Sequence, residues 1–504
     1  MNVAKVLEAQ AQKYADRPAF IFKDEPISFR QLKDFAFYLA SSLLELGIKK
    51  GDKVAIYLPN CPEYVYSYLA IWSVGATAVP LDFMLTEEEL LSCISHAGAK
   101  LLIAKSKAGI SFERLKDAIS SLENIVFCQD ETGGFLSFRG LLNKGQNKLP
   151  DIQTQDKDQA IIFYTSGTTG KPKGVLVNYQ QLDAPPKALR YFVKEFVFED
   201  IGICALSLSH LAGLIYLQFS VELGTTFVLM ERFSPLEFLR NVQDHKVTFF
   251  WLVPSMYYAI LQLKEFENVD LTSVRWLTIF GAPSSPEAIR RFHRYCPNGT
   301  LYHGWGMTET NAPTCVIPSG SNKIESVGLP TPWIEMKIFD EADKEVSQDQ
   351  IGEIVVRGWV VTDGYYKDPE GTRLAMRSGW FHTGDLGRID AEGYFYIAGR
   401  KKEMIKVAGE IVFEPEVEAA IHKNPEVAEV AVIGVADKLR GEVPKAFVVL
   451  KEKNKINDDE LRYFCRQHLA HFKIPHYFEF VDTLPKNRTG KIDKSKLRNE
   501  AKVA

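Results

Sequence analysis

The sequence lacks paired cysteines. Its 504 residues include seven cysteines, and no two of them are spaced as a C-x-x-C pair. This pattern indicates neither a zinc site nor a disulfide framework. An odd number of scattered cysteines is typical of free thiols in a reducing compartment. We therefore expect a cytoplasmic protein.

An excess of positive charge and a membrane-spanning run are also missing. The formal net charge is −4, so the composition gives no sign of nucleic-acid binding. Residues 1–20 have no apolar core of the signal-peptide type and predict an amphipathic helix. The most apolar stretch, around residues 201–224, contains His210, Gln218 and Glu222. It predicts a buried helix rather than a transmembrane segment.

The length and the apolar pattern predict two or three domains of the α/β type. Up to about residue 330, strand-like apolar runs alternate with amphipathic segments, which indicates layered helices and parallel sheets. From about Ile334 the strands become shorter and alternate with turns. This change indicates a β-rich subdomain at about 334–400 within an N-terminal domain of residues 1–400. Beyond a hinge near 401–403, residues 403–504 predict a small α+β domain.

Residues 164–175, YTSGTTGKPKGV, form a loop directly after an apolar run that predicts a buried strand. Glycines let a ligand approach the backbone closely. Successive backbone N–H groups, hydroxyls and ammonium groups can then surround a polyphosphate. The alternative is an ordinary surface turn of Gly, Ser, Thr and Pro. The pattern G-x-x-x-x-G-K-[ST] does not fit, because Pro172 follows Lys171, so a P-loop kinase or GTPase is disfavoured.

Four further stretches carry chemistry that suits a nucleotide. They are GWGMTET (304–310), HTGDLG (382–387), GRKKEMIKVAGE (399–410) and PKNRTGKI (485–492). Binding a nucleotide requires a flat face for the base, a carboxylate for the ribose and donors for the phosphates. It also requires an acidic ligand for Mg²⁺. Together with the glycine loop, these stretches supply each group. The basic tail alone could equally be a solvated terminus.

In these five motifs the sequence resembles the adenylate-forming superfamily. That superfamily comprises acyl-CoA synthetases, adenylation domains of peptide synthetases and beetle luciferases. The fatty acyl-CoA ligase branch is the most similar. The resemblance covers nearly the whole chain, and the motifs occur in the family's order. It implies an α/β fold with a large N-terminal domain of layered sheets, a β-rich subdomain and a small mobile α+β C-terminal domain.

The resemblance also implies that the protein uses ATP, Mg²⁺ and, as a substrate, coenzyme A. It further implies roles for individual residues. Trp305 stands where tyrosine is usual in the family. The residues implied to cover the phosphates are Thr165, Ser166, Gly167, Thr168, Thr169, Gly170 and Lys173. Those implied around the adenine are Gly281, Ala282, Pro283, Gly304, Trp305 and Gly306. Those implied in catalysis and ribose binding are Thr308 at the α-phosphate, Glu309 on Mg²⁺, Asp385 and Arg400 at the ribose, Lys402 at the hinge, Lys491 as the catalytic lysine and His210 at the acyl pocket and CoA tunnel.

Five of these residues also have a structural interpretation. Asp385 and Glu309 could serve only in turns among glycines, and Trp305 could be a core residue. His210 lies in an apolar segment and could be a hydrogen-bonded core histidine. Lys402 could be an ordinary surface lysine.

The implied reaction joins a carboxylic acid to CoA, with release of AMP and pyrophosphate, through an acyl-adenylate. Gly306 leaves a channel open where acetate-type enzymes carry tryptophan, and the nearby residues are apolar. A medium- or long-chain fatty acid is therefore expected. The alternatives are an aryl or succinylbenzoate-type ligase, an acyl-AMP ligase that loads a carrier protein, a luciferase-like oxygenase, and a nucleotide sensor without turnover. A homodimer is left open.

Overall fold

The computed structural model describes residues 2–129, 134–165, 173–194, 196–280, 291–311, 313–408, 410–452, 455–486 and 492–503. The described helices are α1 Val3–Lys13, α2 Phe29–Glu45, α3 Pro62–Ser73, α4 Glu87–Ala97, α5 Phe112–Ala118, α6 Phe138–Lys144, α7 Ala184–Phe192, α8 Leu211–Leu223, α9 Pro235–Asp244, α10 Pro254–Leu261, α11 Pro369–Ala375, α12 Glu414–Ile421, α13 Asp458–Arg466 and α14 Lys494–Val503.

The described strands are β1 Pro18–Phe22, β2 Glu25–Ser28, β3 Lys53–Tyr57, β4 Thr77–Leu81, β5 Leu101–Ala104, β6 Asn124–Phe127, β7 Leu136–Ser137, β8 Gln159–Thr165, β9 Lys173–Asn178, β10 Ile201–Cys204, β11 Thr226–Leu229, β12 Phe249–Leu252, β13 Trp276–Ile279, β14 Thr300–Trp305, β15 Cys315–Val316, β16 Leu329–Pro330, β17 Ile334–Phe339, β18 Gly352–Gly358, β19 Phe381–Ile389, β20 Phe395–Arg400, β21 Met404–Val407, β22 Glu410–Phe413, β23 Val427–Asp437, β24 Gly441–Leu450 and β25 Tyr477–Phe480.

Two large sheets form the N-terminal part of the chain. The first sheet has the order β7-β6-β5-β3-β4-β8-β9, and all its pairs are parallel except β8 with β9. The second has the order β16-β15-β14-β13-β12-β10-β11-β1-β2, with a parallel centre and antiparallel edges. Strands in the centre, such as β5 and β12, are buried along their whole length. Such continuous apolar strands are expected where helices cover both faces of a parallel sheet.

Two smaller sheets follow. Strands β17 to β20 form an antiparallel sheet in sequence order, which begins at Ile334. Strands β21 to β25 form the last sheet, and α12, α13 and α14 belong to the same part of the chain. The predicted α/β class with a β-rich subdomain and a small α+β unit is thus confirmed. The predicted hinge at 401–403 falls between β20 and β21, and its role as a hinge stays a prediction.

Local sequence signals fix several helix ends. Ser28 and Gln31 form a capping box at the start of α2, and Thr86 with Glu89 does the same for α4. Each box satisfies backbone N–H groups that the first helical turn leaves unpaired. Gly98 ends α4 in the left-handed conformation, which glycine adopts at low cost.

The apolar stretch at 201–224 is more divided than the sequence indicated. It forms strand β10 in the centre of the second sheet and then helix α8, which is buried along most of its length. The prediction of one buried helix is therefore right only for the second half of the stretch. No helix in the described part of the chain has the length and apolarity needed to cross a bilayer.

Candidate active site

Asp385 is the centre of the candidate nucleotide site. It lies in β19 directly opposite Arg400 of β20, and the Arg400 Nε atom lies 2.7 Å from Asp385 Oδ1. The indole N–H of Trp305, at the end of β14, donates to Asp385 Oδ2 over 2.9 Å. Burial raises the pKa of Asp385, which is only 4% exposed, while Arg400 and Trp305 act in the opposite direction. The structure thus brings together three of the predicted residues.

The turn before Asp385 depends on a buried carboxylate that the sequence analysis missed. Gly384 has a φ of +74°, a conformation that favours glycine, and its N–H donates to Glu353 Oε1 over 3.1 Å. The Nδ1 atom of His382 lies 3.1 Å from the other oxygen of Glu353. Burial opposes the charge of Glu353, but His382 and Lys401 outweigh it and lower the pKa of the carboxyl. Glu353 therefore holds the loop that presents Asp385.

Glu309 lies in a short 3₁₀ turn, Thr308–Thr310, that follows β14. Its backbone carbonyl accepts a 2.7 Å hydrogen bond from the N–H of Thr362. The hydroxyl of Tyr365 donates to its side chain over 3.2 Å. Burial raises the pKa of Glu309, and the neighbouring charge of Asp385 adds to that shift. A half-buried carboxylate of this kind is stabilised by a nearby cation.

Two paired antiparallel strands, β8 and β9, flank the glycine loop in the sequence. Thr165, the last residue of β8, is the register partner of Lys173, the first residue of β9. The Lys173 ammonium lies 4.8 Å from the centre of the Tyr365 ring. Tyr365 therefore contacts both Lys173 and Glu309, which places the predicted phosphate and magnesium groups on one continuous surface. Tyr365 was not identified from the sequence.

His210 lies apart from these residues and pairs with Asp82. It is the N-cap residue of α8, and its Nε2 atom lies 3.1 Å from Asp82 Oδ2, just after β4. The His210 side chain is 35% exposed, so it is not a fully enclosed core histidine. Asp82 was also missed. The only sequence signal for Asp82 is its position after an apolar strand, where parallel strands present functional residues.

Some of the remaining predicted residues are described by the structure, and the others lie outside the described ranges. A Cβ atom on Gly304 would lie 2.1 Å from the carbonyl oxygen of Cys315, so no side chain fits there. Gly306 and Thr308 lie beside it and are half-buried, and Lys402 is exposed in the 3₁₀ turn Lys401–Glu403. Outside the described residues lie Ser166, Gly167, Thr168, Thr169, Gly170, Gly281, Ala282, Pro283 and Lys491.

A buried carboxylate held by an arginine and an indole, near a second carboxylate, suits the class of enzymes that use a nucleotide. The profile of the AMP-binding enzyme family matches residues 7–366, and that of the AMP-binding enzyme C-terminal domain matches residues 416–491. The chain belongs to this family, and it is an AMP-forming acid–thiol ligase.

Known relatives differ in the acid that their names specify. A long-chain-fatty-acid–CoA ligase of Bacillus subtilis (strain 168) is 33% identical over 531 residues, covering 99% of this chain and 94% of the relative. The crystal structure of an anthranilate CoA ligase with anthranoyl-AMP has a TM-score of 0.92 at 29% identity, covering 100% of this chain and 98% of that chain. The o-succinylbenzoate CoA synthetase of Bacillus subtilis, in complex with ATP and magnesium, has a TM-score of 0.85 at 29% identity and covers 99% of each chain.

Proposed function

We propose that this enzyme joins an apolar monocarboxylic acid, a medium- or long-chain fatty acid, to CoA through an acyl-adenylate. The observation that carries this proposal is the apolar helix α8 that begins at His210. Its only charged residue is Glu222, close to its far end. An amino-acid-activating domain places an aspartate in this segment for the α-amine, and SHLAG contains no acidic residue; the nearby Asp82 carboxylate is paired with His210. The fatty-acid ligase among the relatives agrees with this choice.

For ATP, we propose that Asp385 and Arg400 bind the ribose and that Trp305 covers one face of the adenine. The carboxylate of Asp385 can accept from ribose hydroxyls, and Arg400 is fixed in place by the same carboxylate. Gly304 is needed for close packing against the Cys315 carbonyl, and the half-buried Gly306 would leave the backbone open to the base. Lys173 and the loop that follows Thr165 would contact the phosphates. Thr308 would contact the α-phosphate.

Glu309 fits a magnesium ion. It is half-buried, accepts a hydrogen bond from Tyr365 and has a raised pKa, so a cation would stabilise its ionised form. Mg²⁺ in nucleotide sites uses one or two carboxylates together with phosphate oxygens, so one glutamate is enough. When bound, the ion would neutralise charge on the phosphates.

The chemistry of the first step requires electrostatic stabilisation and no general base, because the acid is already an anion at pH 7. The carboxylate oxygen attacks the α-phosphorus, and the bond to pyrophosphate breaks. Thr308, Lys173 and Lys491 would stabilise the charge that develops on the phosphoryl oxygens. In the second step a CoA thiol attacks the acyl carbon, and AMP leaves. We propose that the C-terminal domain turns about Lys402 between the steps, removing Lys491 from the reacting atoms.

An aromatic acid is the second candidate, and one contact favours it. The ring centres of Trp251, in β12, and Phe280, directly after β13, lie 4.6 Å apart. Both rings belong to the core cluster against which Leu211 packs. Aromatic walls suit an aryl acid, because rings pack in offset or edge-on pairs. The anthranilate ligase is consistent with this alternative.

The decisive experiment supplies ATP, Mg²⁺ and a panel of acids from acetate to palmitate, with benzoate and coumarate, with and without CoA. Products are identified by mass. We expect one acyl-CoA from the aliphatic acids to dominate. A dominant aryl-CoA would replace the fatty-acid proposal with the aryl one. Accumulation of acyl-AMP in the presence of CoA would point to a carrier protein as the acceptor. The cytoplasmic location and a homodimer stay predictions.

A further inference from the structure

The last turn of α4 contacts the strand that leads into the glycine loop. The Nδ1 atom of His96 lies 2.8 Å from the hydroxyl of Tyr164, the residue before Thr165 at the end of β8. The two rings meet edge to face, with their centres 5.8 Å apart. Burial raises the pKa of the Tyr164 phenol and lowers that of the His96 imidazole. The pair is therefore a phenol and a neutral imidazole joined by one hydrogen bond.

A second tyrosine meets the same turn of α4. The ring of Tyr366 stands at 89° to that of His96, with the centres 5.7 Å apart. Its hydroxyl donates to the carbonyl of Ala97 over 3.1 Å. Its backbone N–H donates to the carbonyl of Gly174, in β9, over 2.7 Å. The turn thus contacts the partners of both strands, and we call the side chains of His96, Tyr164 and Tyr366 the ring cluster.

Gly174 shows how closely the ring cluster packs against β9. It is the register partner of Tyr164. A Cβ atom on Gly174 would lie 3.2 Å from the Cβ of Tyr366 and 3.6 Å from a ring carbon of Tyr164. It would also lie 2.9 Å from the side chain of Ile162, so no side chain fits without displacing a neighbour. The second residue of β9 is therefore enclosed between the two tyrosines.

The ring cluster lies beside both ends of the glycine loop. Thr165 directly follows Tyr164, and Lys173 directly precedes Gly174. Groups that bind a ligand must be held within about 0.5 Å of their working positions, which requires packing and hydrogen bonds behind them. The ring cluster supplies such support on the side of α4.

We propose that His96 and Tyr164 are positioning residues for the two terminal phosphates of ATP, and that they act through Thr165 and Lys173. This inference rests on the proposed function, in which Lys173 and the loop after Thr165 contact the phosphates. The hydrogen bond between His96 and Tyr164 then matters for MgATP and not for AMP, which lacks the two terminal phosphates.

Isothermal titration calorimetry with MgATP and with AMP tests this difference. Tyr164→Phe and His96→Phe keep an aromatic ring and remove the hydrogen bond. We expect each variant to bind MgATP about threefold to tenfold more weakly and to bind AMP as the wild type does. The double variant should be no weaker than either single variant, because the same bond is lost only once. Unchanged MgATP affinity in both single variants, or equal losses for MgATP and AMP, would overturn the proposal.

The matched control is Tyr179→Phe. This change removes a buried phenol that donates to the Ala76 carbonyl over 2.9 Å, directly after the far end of β9, and it should leave MgATP affinity unchanged. Thermal melting shows whether each variant is folded, and Tyr164→Phe keeps the test valid if His96→Phe is not.

Turnover separates this proposal from the proposed function. In ATP–pyrophosphate exchange, the KM for ATP should rise by the same factor in Tyr164→Phe, while transfer of supplied acyl-AMP to CoA keeps the wild-type rate. Equal losses in both half-reactions would show that the ring cluster serves only the stability of the fold. A wild type that exchanges no pyrophosphate with any acid of the panel would refute the ligase, whereas the calorimetric comparison would still decide the role of His96 and Tyr164.

Discussion

At the scale of single residues, the candidate site depends on two carboxylates that accept hydrogen bonds from specific donors. Asp385 accepts from Arg400 and Trp305, and Glu309 accepts from Tyr365. Both have pKa values raised by burial. Burial disfavours the charged form of both carboxyl groups, a ligand or cation would favour it, and perturbed acids of this kind cluster at functional sites.

Asp385→Asn tests the ribose contact. The variant keeps the shape but removes the charge, so Arg400 loses its ionic partner and the ribose loses a charged acceptor. A hydrogen bond to a charged group contributes about 1.5–3 kcal/mol, so the KM for ATP in ATP–pyrophosphate exchange should rise about tenfold to a hundredfold. The control Asp349→Asn breaks an exposed pair with Arg388 and should leave this KM unchanged. An unchanged KM in Asp385→Asn would contradict the assignment.

Tyr365→Phe tests Glu309 through the pH dependence. Burial raises the pKa of Glu309, and the Tyr365 hydroxyl acts to lower it. Because Mg²⁺ needs the ionised form, activity at low Mg²⁺ should fall on the acidic side at a higher pH than an ordinary glutamate would cause. Removing the hydroxyl should move that acidic limb to still higher pH. The profile of kcat/KM against pH measures the shift, and Tyr396→Phe, which removes a phenol bonded to Asp390, is the control. Coincident profiles for Tyr365→Phe and wild type would count against the role of Glu309.

At the scale of elements, α14 is tied to helix α12 by a buried ion network. The Lys494 ammonium lies 2.9 Å from Glu414 and 2.7 Å from Glu418, and Arg498 lies 2.7 Å from the other oxygen of Glu414. Just before this helix, Lys486 and Ile492 form a β-bridge on either side of residues 487–491. The network therefore lies in the helix that follows the predicted catalytic lysine in the sequence; Lys491 itself is outside the described residues.

Lys494→Met should destabilise this part of the molecule. The substitution leaves Glu414 and Glu418 with less compensation, and breaking a buried pair costs about 3 kcal/mol. Amide exchange of Val432, whose N–H donates to Glu418, should become about a hundredfold faster or more. Lys496→Met removes an exposed lysine from the same helix and should leave exchange unchanged. Equal exchange in the two variants would show that the network contributes little.

The sequence marks candidate site residues by local motifs but does not reveal their tertiary partners. The glycine loop, Asp385 and Glu309 are marked by short motifs whose residue types follow from the chemistry. No motif marks the residues that support this site. Glu353 acts through Gly384, Asp82 through His210 and Tyr365 through Glu309, and the two members of each pair are distant in sequence. The run at 201–224 was assigned to one helix because a buried strand and a buried helix share the same apolar composition.

At the scale of the whole molecule, the reaction needs two arrangements of the same groups. The adenylation step needs Lys491 at the phosphates, and the thiol needs that space in the second step. In this structure the two parts of the chain meet at several points, among them the Tyr258 and His422 rings, with centres 6.2 Å apart, and Phe413, which lies against Gly399. Interfaces between domains of one chain permit relative motion unless they are large and hydrophobic.

The two half-reactions should therefore separate by mutation. Lys491→Ala should lower adenylation, measured by ATP–pyrophosphate exchange, at least a hundredfold, yet largely spare the transfer of supplied acyl-AMP to CoA. Lys402→Pro should show the opposite pattern, because proline restricts the backbone change that a hinge must absorb. Lys496→Ala is the matched control for loss of a lysine near the C-terminus. If both half-reactions fall equally in Lys491→Ala, the lysine serves structure and not the first step. If Lys402→Pro leaves the overall rate unchanged, the molecule turns about another point or does not turn at all.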